Sequence, residues 1–194
     1  MVSDRRERVV DAALVLIGRD GMRALTHRRV DAEAGVPLGT TSNHFRTRRA
    51  LLEGTLGRLV ERDKESVRAL GGADPRSVDD LATMMLRYVE RSVTVNRALT
   101  RARYAMFVEL ADDERLGGLV LAGREDLTAL GSALLGAALG VASQGELRPR
   151  AAATVMATVE GMILHRLTGS EASPDDHATL RSLLASMEAS TAPR

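Results

Sequence analysis

Between Thr26 and Arg48 the chain carries a group of side chains suited to hydrogen-bonding nucleic acid. Asn43 and His44 can reach base edges, and asparagine pairs well with adenine in a major groove. Thr40 could donate to a phosphate or meet a thymine methyl. Ser42 adds a second hydroxyl. Gly39 lets backbone come close to a sugar-phosphate strand, and Leu38 completes the set expected to face DNA. Arg28, Arg29 and Arg48 suit phosphate oxygens, because a guanidinium fork matches two oxygens at once.

Such side chains read DNA only when a rigid element presents them. Gly35 follows Val30 and Ala34 and precedes Val36, where left-handed backbone would end one helix. Pro37 needs no amide hydrogen and suits the opening of the next segment. Two short helices joined by a glycine turn make a helix-turn-helix, whose second helix can enter the major groove. Thr26 is a good N-cap for the first of the pair, with Arg29 where a full capping box would place glutamate. The second is expected over Leu38–His44.

Apolar spacing and breakers extend the helical reading along the chain. A first helix is expected from about Asp4 to Arg19, with Val9, Ala13, Leu16 and Ile17 on one face and Gly21 at its end. Thr47 caps a long helix to about Leu70, and Gly71 to Pro75 is the clearest break. Ser77 with Asp80 opens a helix to about Val95. Further helices fit Arg97–Leu110, Asp113–Leu139, Pro149–Thr168 and Pro174–Ala189, with Gly145, Pro149, Gly169 and Pro174 as punctuation. No window alternates as a strand would. The expected fold is all-α.

In order and spacing, residues 5–58 resemble the DNA-binding domain of the TetR family of bacterial transcriptional regulators. The resemblance rests on Val10-Asp11-Ala12-Ala13 with Leu16, Gly21, and Thr26. It continues through Val30, Ala34-Gly35-Val36, Gly39-Thr40, Phe45, Arg48 and Ala50-Leu51-Leu52. It implies a three-helix helix-turn-helix domain over residues 1–50 and a helical effector-binding and dimerisation domain over 51–194. It also implies phosphate contacts from Thr26 and from the helix start at Arg48, and a buried Phe45 that seats the recognition helix.

Two places depart from the family pattern. Asp31 stands where alanine or glycine is usual, at a close helix crossing, so its carboxylate must turn outward or find a donor. Thr41-Ser42 replaces a leucine-tyrosine pair, which removes a core aliphatic and a phosphate-contacting tyrosine.

For the helical body the resemblance implies a small-molecule effector held between helices. The larger adaptable side chains are Met84, Met85, Tyr88, Tyr104, Met106, Phe107, Met156, Met162 and His165. Beyond the first domain only Tyr88, Tyr104 and Phe107 are aromatic. Arg101 and Arg103 flank Tyr104 and are expected on a solvated face, the alternative for Arg103 being a buried partner for an acidic effector. The last two helices carry apolar stripes of Val155, Val159, Met162, Ile163, Leu180, Leu183, Leu184 and Met187. Ala151, Ala152, Ala153 and Gly161 allow close helix approach there. These are expected to form a homodimer interface, or else to close the chain's own core. Two heads on one palindrome double the base contacts of one.

Composition narrows the class. At 194 residues, 44% hydrophobic and 27% charged, the chain can bury a sizeable core. Residues 1–58 hold eleven arginines and seven acids, a charge of +4 against −3 for the remainder. That asymmetry suits a phosphate-reading end joined to a domain that does not touch DNA. The chain has no cysteine, so neither disulfides nor thiolate metal sites are available. The amino terminus lacks the apolar core of a signal peptide, and no run reaches the ~18 apolar residues of a membrane span. A cytoplasmic protein without membrane contact is expected.

An enzyme is not. The histidines are His27, His44, His165 and His177. None has a recognisable metal-site spacing, and no glycine-rich phosphate loop follows a strand. No cofactor is expected. The function expected is a homodimeric repressor of a palindromic operator, released by a small-molecule effector. An architectural or effector-independent DNA-binding protein, or an activator on the same fold, would share the head.

Overall fold

The structure, a computed structural model, describes residues 2–69, 75–138 and 149–191. Leu70 to Asp74, Leu139 and Gly145 lie outside the described residues, as do the side chains of Ala151, Ala152 and Met187. Among the described residues there are nine α-helices and no strand: α1 Val2–Asp20, α2 His27–Ala34, α3 Thr40–His44, α4 Arg48–Arg68, α5 Val78–Val93, α6 Arg97–Leu110, α7 Leu116–Ala138, α8 Pro149–Leu167 and α9 Asp176–Thr191. The all-α expectation holds.

Local chemistry sets most boundaries. Gly21, at φ 82°, closes α1 with its N–H on the Ile17 carbonyl. A single 3-10 turn, Met22–Ala24, then leads to α2. Thr47 Oγ1 accepts the Ala50 N–H at 3.0 Å and starts α4. Ser77 and Asp80 form a reciprocal cap: Ser77 Oγ accepts the Asp80 N–H, and Asp80 accepts the Arg76 N–H. α7 begins at Leu116 rather than Asp113 because the Asp113 carboxylate accepts the N–H groups of Leu116 and Arg115 from outside the helix.

Packing groups the chain into two compact units, one of Met1–Lys64 with Asn96–Arg124, the other of Glu65–Val95 with Glu125–Arg194. This grouping differs from a division of the chain at residues 50 and 51, because α6 packs along α1 and joins the amino-terminal helices. The closest approach is at Gly18, where a Cβ would fall within 2.6 Å of the Ala98 carbonyl carbon. In this first unit α1 buries more than the one face expected: Val9, Val10, Ala12, Ala13, Leu14, Leu16 and Ile17 are all covered. It packs against α2, α3 and α6, so a single stripe would not suffice.

In the second unit α5 packs against α8 and α9. Its buried apolar side chains include Leu81, Ala82, Met85 and Val89 of α5, Leu135 and Ala138 of α7, Val155, Val159 and Ile163 of α8, and Leu180 and Leu184 of α9. Five of the residues expected at a homodimer interface therefore lie in the chain's own core. The apolar stripes of α8 and α9 face α5, which needs cover. Arg166 reinforces the arrangement, pairing with Asp176 at 2.5 Å and Glu90 at 3.5 Å.

Candidate nucleic-acid interface

The helix-turn-helix is formed by α2, the turn at Gly35–Gly39, and α3. Thr26 Oγ1 caps α2, accepting the Arg29 N–H at 3.4 Å. Gly35 ends it at φ 59°, ψ 40°. The Gly35 N–H donates to the Ala32 carbonyl and the Val36 N–H to the Asp31 carbonyl. This double closure requires left-handed backbone at the glycine. The turn is held from outside by Arg8 of α1, whose Nη2 donates to the Ala34 carbonyl at 2.9 Å.

The second helix is shorter than the expected Leu38–His44. Leu38 and Gly39 belong to the turn, and Gly39 is the N-cap at φ 90°. Nothing lies within 4 Å of where its Cβ would be, so conformation rather than crowding calls for glycine, and the backbone there is open to approach. Leu38 is 74% exposed, Ser42 and Asn43 are exposed, and His44 is half-buried. Thr40 is half-buried, and its hydroxyl already donates to the Pro37 carbonyl at 2.7 Å. It can still accept, but its proton serves the turn.

Beneath these residues the seat is firm. Phe45 is buried, as a core aromatic should be, and lies against Gly54 of α4, where a Cβ would meet its Cζ at 2.8 Å. The Arg6 guanidinium stands 5.0 Å from its ring centroid, and His27 Nε2 is 2.6 Å from its carbonyl oxygen. Asp31 is 2% exposed and does find donors. Its Oδ2 accepts the Gly39 N–H at 2.7 Å, and its Oδ1 accepts the Thr41 N–H at 2.8 Å and the Thr41 hydroxyl at 2.5 Å.

The three arginines expected at phosphate differ in freedom. Arg28 is exposed, with no side-chain partner among the described residues. Arg29 pairs with Asp20 at 2.5 Å, while Arg19 bridges Asp20 and Glu33. Arg19, with Arg29, holds the Asp20 carboxyl below the usual carboxylate range. Arg48 Nη2 donates to the Met22 carbonyl at 2.9 Å, leaving other N–H groups for an anion. Arg23, in the 3-10 turn, and Arg46, between α3 and α4, are also exposed cations and lie outside the two helices of the motif.

Charged side chains also tie α4 into this unit. Asp11 of α1 accepts from Arg58 Nε at 2.8 Å and Arg62 Nη2 at 3.0 Å. Burial pushes the Asp11 carboxyl up, but the Arg58 and Arg62 hydrogen bonds and charges outweigh it, and the carboxyl sits below 3.8. Arg103 is buried rather than solvated, and pairs with buried Asp63 of α4 at 3.3 Å. Its anionic partner is thus internal.

The expected effector contacts fall in two groups. Arg103, Tyr104 and Phe107 are on α6 in the first unit, with the Arg103 guanidinium 5.4 Å from the Tyr104 ring centroid and Phe107 half-buried against the core. In the second unit are Met84 and Tyr88 on α5 and Met156, Met162 and His165 on α8. Met84, Tyr88, Met156 and Met162 are half-buried and His165 is exposed. Met156 packs over Gly131 of α7, its Sδ 2.9 Å from where a Cβ would stand.

Comparison with known proteins agrees with this geometry. Residues 9–55 match the family described as bacterial regulatory proteins, tetR family, and residues 76–190 match the tetracyclin repressor-like C-terminal domain. The HTH-type transcriptional repressor KstR of Mycolicibacterium smegmatis is 32% identical over 102 residues, 51% of this chain and 50% of the relative. That of Rhodococcus jostii is 29% identical over 119 residues, 60% of this chain and 56% of the relative. The chain spans about half the length of the curated relatives it matches. A TetR-family member from Streptomyces coelicolor A3 superposes with a TM-score of 0.68 at 28% identity, over 95% of this chain and 98% of the other. The multidrug binding protein EbrR complexed with ethidium gives 0.68 at 26% identity, over 94% and 98%. No helix among the described residues is long and apolar enough to cross a membrane. Matched over its helix-turn-helix and over its helical body, the chain belongs to the TetR family of bacterial regulatory proteins.

Proposed function

We propose that the protein is a homodimeric, cytoplasmic transcriptional repressor that binds a palindromic operator and leaves it when a small molecule binds. The observation that carries this reading is the preformed recognition element. Leu38, Ser42 and Asn43 are exposed on a turn and helix seated by Phe45, with Arg28 exposed at the start of α2. Asn43 and Ser42 would read base edges, and Leu38 would meet a thymine methyl. Arg28, Arg48 and the capped start of α2 at Thr26 would hold phosphate, since a helix N-terminus presents unpaired N–H groups.

Pairing of two chains is supported by the outward side of α8. Ala153, Ala157 and Leu164 are exposed there, with Gly161 half-buried between them, three to four residues apart. Two heads would then meet half-sites about one helical turn, ~34 Å, or a multiple of it apart. The effector reading draws on EbrR, which holds ethidium. Met84, Tyr88, Met156, Met162 and His165, and Tyr104 and Phe107, are the side chains to test. Arg103 serves Asp63 instead. α4 and α7 each begin in one unit and end in the other, so a ligand preferring one arrangement of these helices would shift DNA affinity by that preference.

The test is fluorescence-anisotropy binding to the intergenic DNA beside the protein's own gene, against random duplex of equal length, across a salt series. Selective binding that weakens with salt is expected. Indistinguishable affinities for the two, followed by no enriched sequence in a genome-wide binding selection, would refute the reading.

A further inference from the structure

We propose that Asp31 is a specificity-positioning residue: its buried carboxylate clamps the start of the recognition helix and sets the pose from which Ser42 and Asn43 meet bases. The inference rests on the DNA-binding reading above.

α3 is five residues long, too short to hold its own shape, because one turn of helix fixes more backbone than its hydrogen bonds repay. Its N-cap is Gly39, which has no side chain with which to accept the first N–H groups. Asp31 supplies that acceptor from the preceding helix. One carboxylate oxygen takes the N–H of the cap residue Gly39, and the other takes both the N–H and the hydroxyl of Thr41. Asp31 and Thr41 are both buried, so water offers neither an alternative partner.

An aliphatic pair at this crossing would hold the helices together by contact, with little preference for rotation. Three hydrogen bonds converging on one carboxylate prescribe direction as well as distance. The two departures from the family pattern, Asp31 and Thr41, are therefore the two ends of one interaction. Arg8 holds the other side of the turn through the Ala34 carbonyl, so the turn is gripped at both ends. Phosphate contacts depend on charge and tolerate small rotations, whereas base-edge hydrogen bonds do not. Loss of the clamp should thus cost sequence preference before it costs affinity for DNA in general.

The full-length protein would first select its preferred site from a duplex library with a randomised core. Anisotropy titrations would then compare that site with random duplex for wild type, Asp31→Asn, Thr41→Val and Thr41→Ser. Asp31→Asn is isosteric but replaces one accepting oxygen with an amide NH2, a donor facing a neighbouring N–H. A fall of about tenfold or more in the selected-to-random affinity ratio is expected, about 1.4 kcal/mol, with an unchanged salt slope. Thr41→Val should lower the ratio in the same direction, and Thr41→Ser, which keeps the hydroxyl, should restore it. Should Asp31→Asn fail to fold, the Val and Ser variants decide. A wild-type ratio in Asp31→Asn, equal loss on both duplexes, or Val and Ser behaving alike would overturn the inference while leaving the DNA-binding function intact. A wild type that selects no sequence would bring down both.

Discussion

Gly18 and Gly57 make a matched pair with opposite expected outcomes. Both lie inside long helices, Gly18 in α1 and Gly57 in α4. Helix propensity alone favours alanine over glycine by about 1 kcal/mol at such positions. Around Gly57 nothing lies within 4 Å of a new Cβ, so Gly57→Ala should show that gain. At Gly18 the new Cβ would meet the Ala98 carbonyl oxygen and lie 2.6 Å from its carbon, where ordinary contact begins at 3.4 Å. The obstacle is backbone, so α1 and α6 would have to part by roughly an ångström, loosening a close-packed contact between helices. Overpacking of this kind costs ~1–3 kcal/mol. Set against the propensity gain of about 1 kcal/mol, Gly18→Ala should lose up to about 2 kcal/mol, and Gly18→Val more, because branching adds bulk and lowers propensity. For a chain of this size a loss of about 2 kcal/mol is a fall in Tm of about 4–8 °C. Circular dichroism at the helical band, followed through thermal and urea unfolding of both variants, reads the two signs directly. If Gly18→Ala raised Tm as Gly57→Ala does, the argument that α6 is seated on α1 through this glycine would be wrong.

Four further outcomes are expected. Arg28→Ala should weaken binding to all DNA sequences alike and lower the salt-dependence slope by about one, whereas Asn43→Ala should relax preference at one base by roughly 1–3 kcal/mol; equal losses on selected and random DNA for Asn43→Ala would remove it as a base reader. Asp11 has a folded-state carboxyl held below 3.8, so the stability it adds is present above that value and is lost as pH falls through the folded one. Asp11→Asn should therefore lower the urea midpoint at neutral pH and converge with wild type under acid, and a gap that persists at the acid end would contradict the assignment. Leu164→Glu, on the outward side of α8, should convert a dimer to monomers in sedimentation and make thermal unfolding independent of protein concentration, and an intact dimer would move the interface elsewhere.

Much of this molecule is legible from residues a few positions apart. Thr26, Thr47 and Ser77 cap helices because each side chain reaches an N–H three residues on. Gly21 and Gly35 end helices because the backbone itself needs left-handed φ there. These are local events, so sequence alone determined the all-α architecture, the helix-turn-helix and the exposure of its central polar residues. Tertiary structure decided what depends on partners far along the chain. Asp31 and Thr41 each stood out as departures from a pattern, but their union required α2 and α3 to cross. Arg103 became a core residue only because Asp63 of α4 came to meet it, and Gly18 mattered only once Ala98 lay across it. The stripes of α8 and α9 were visible as apolar, yet spacing cannot say whether a stripe meets its own chain or another. A helix has more than one side, and which side is buried is settled by which neighbour arrives to cover it.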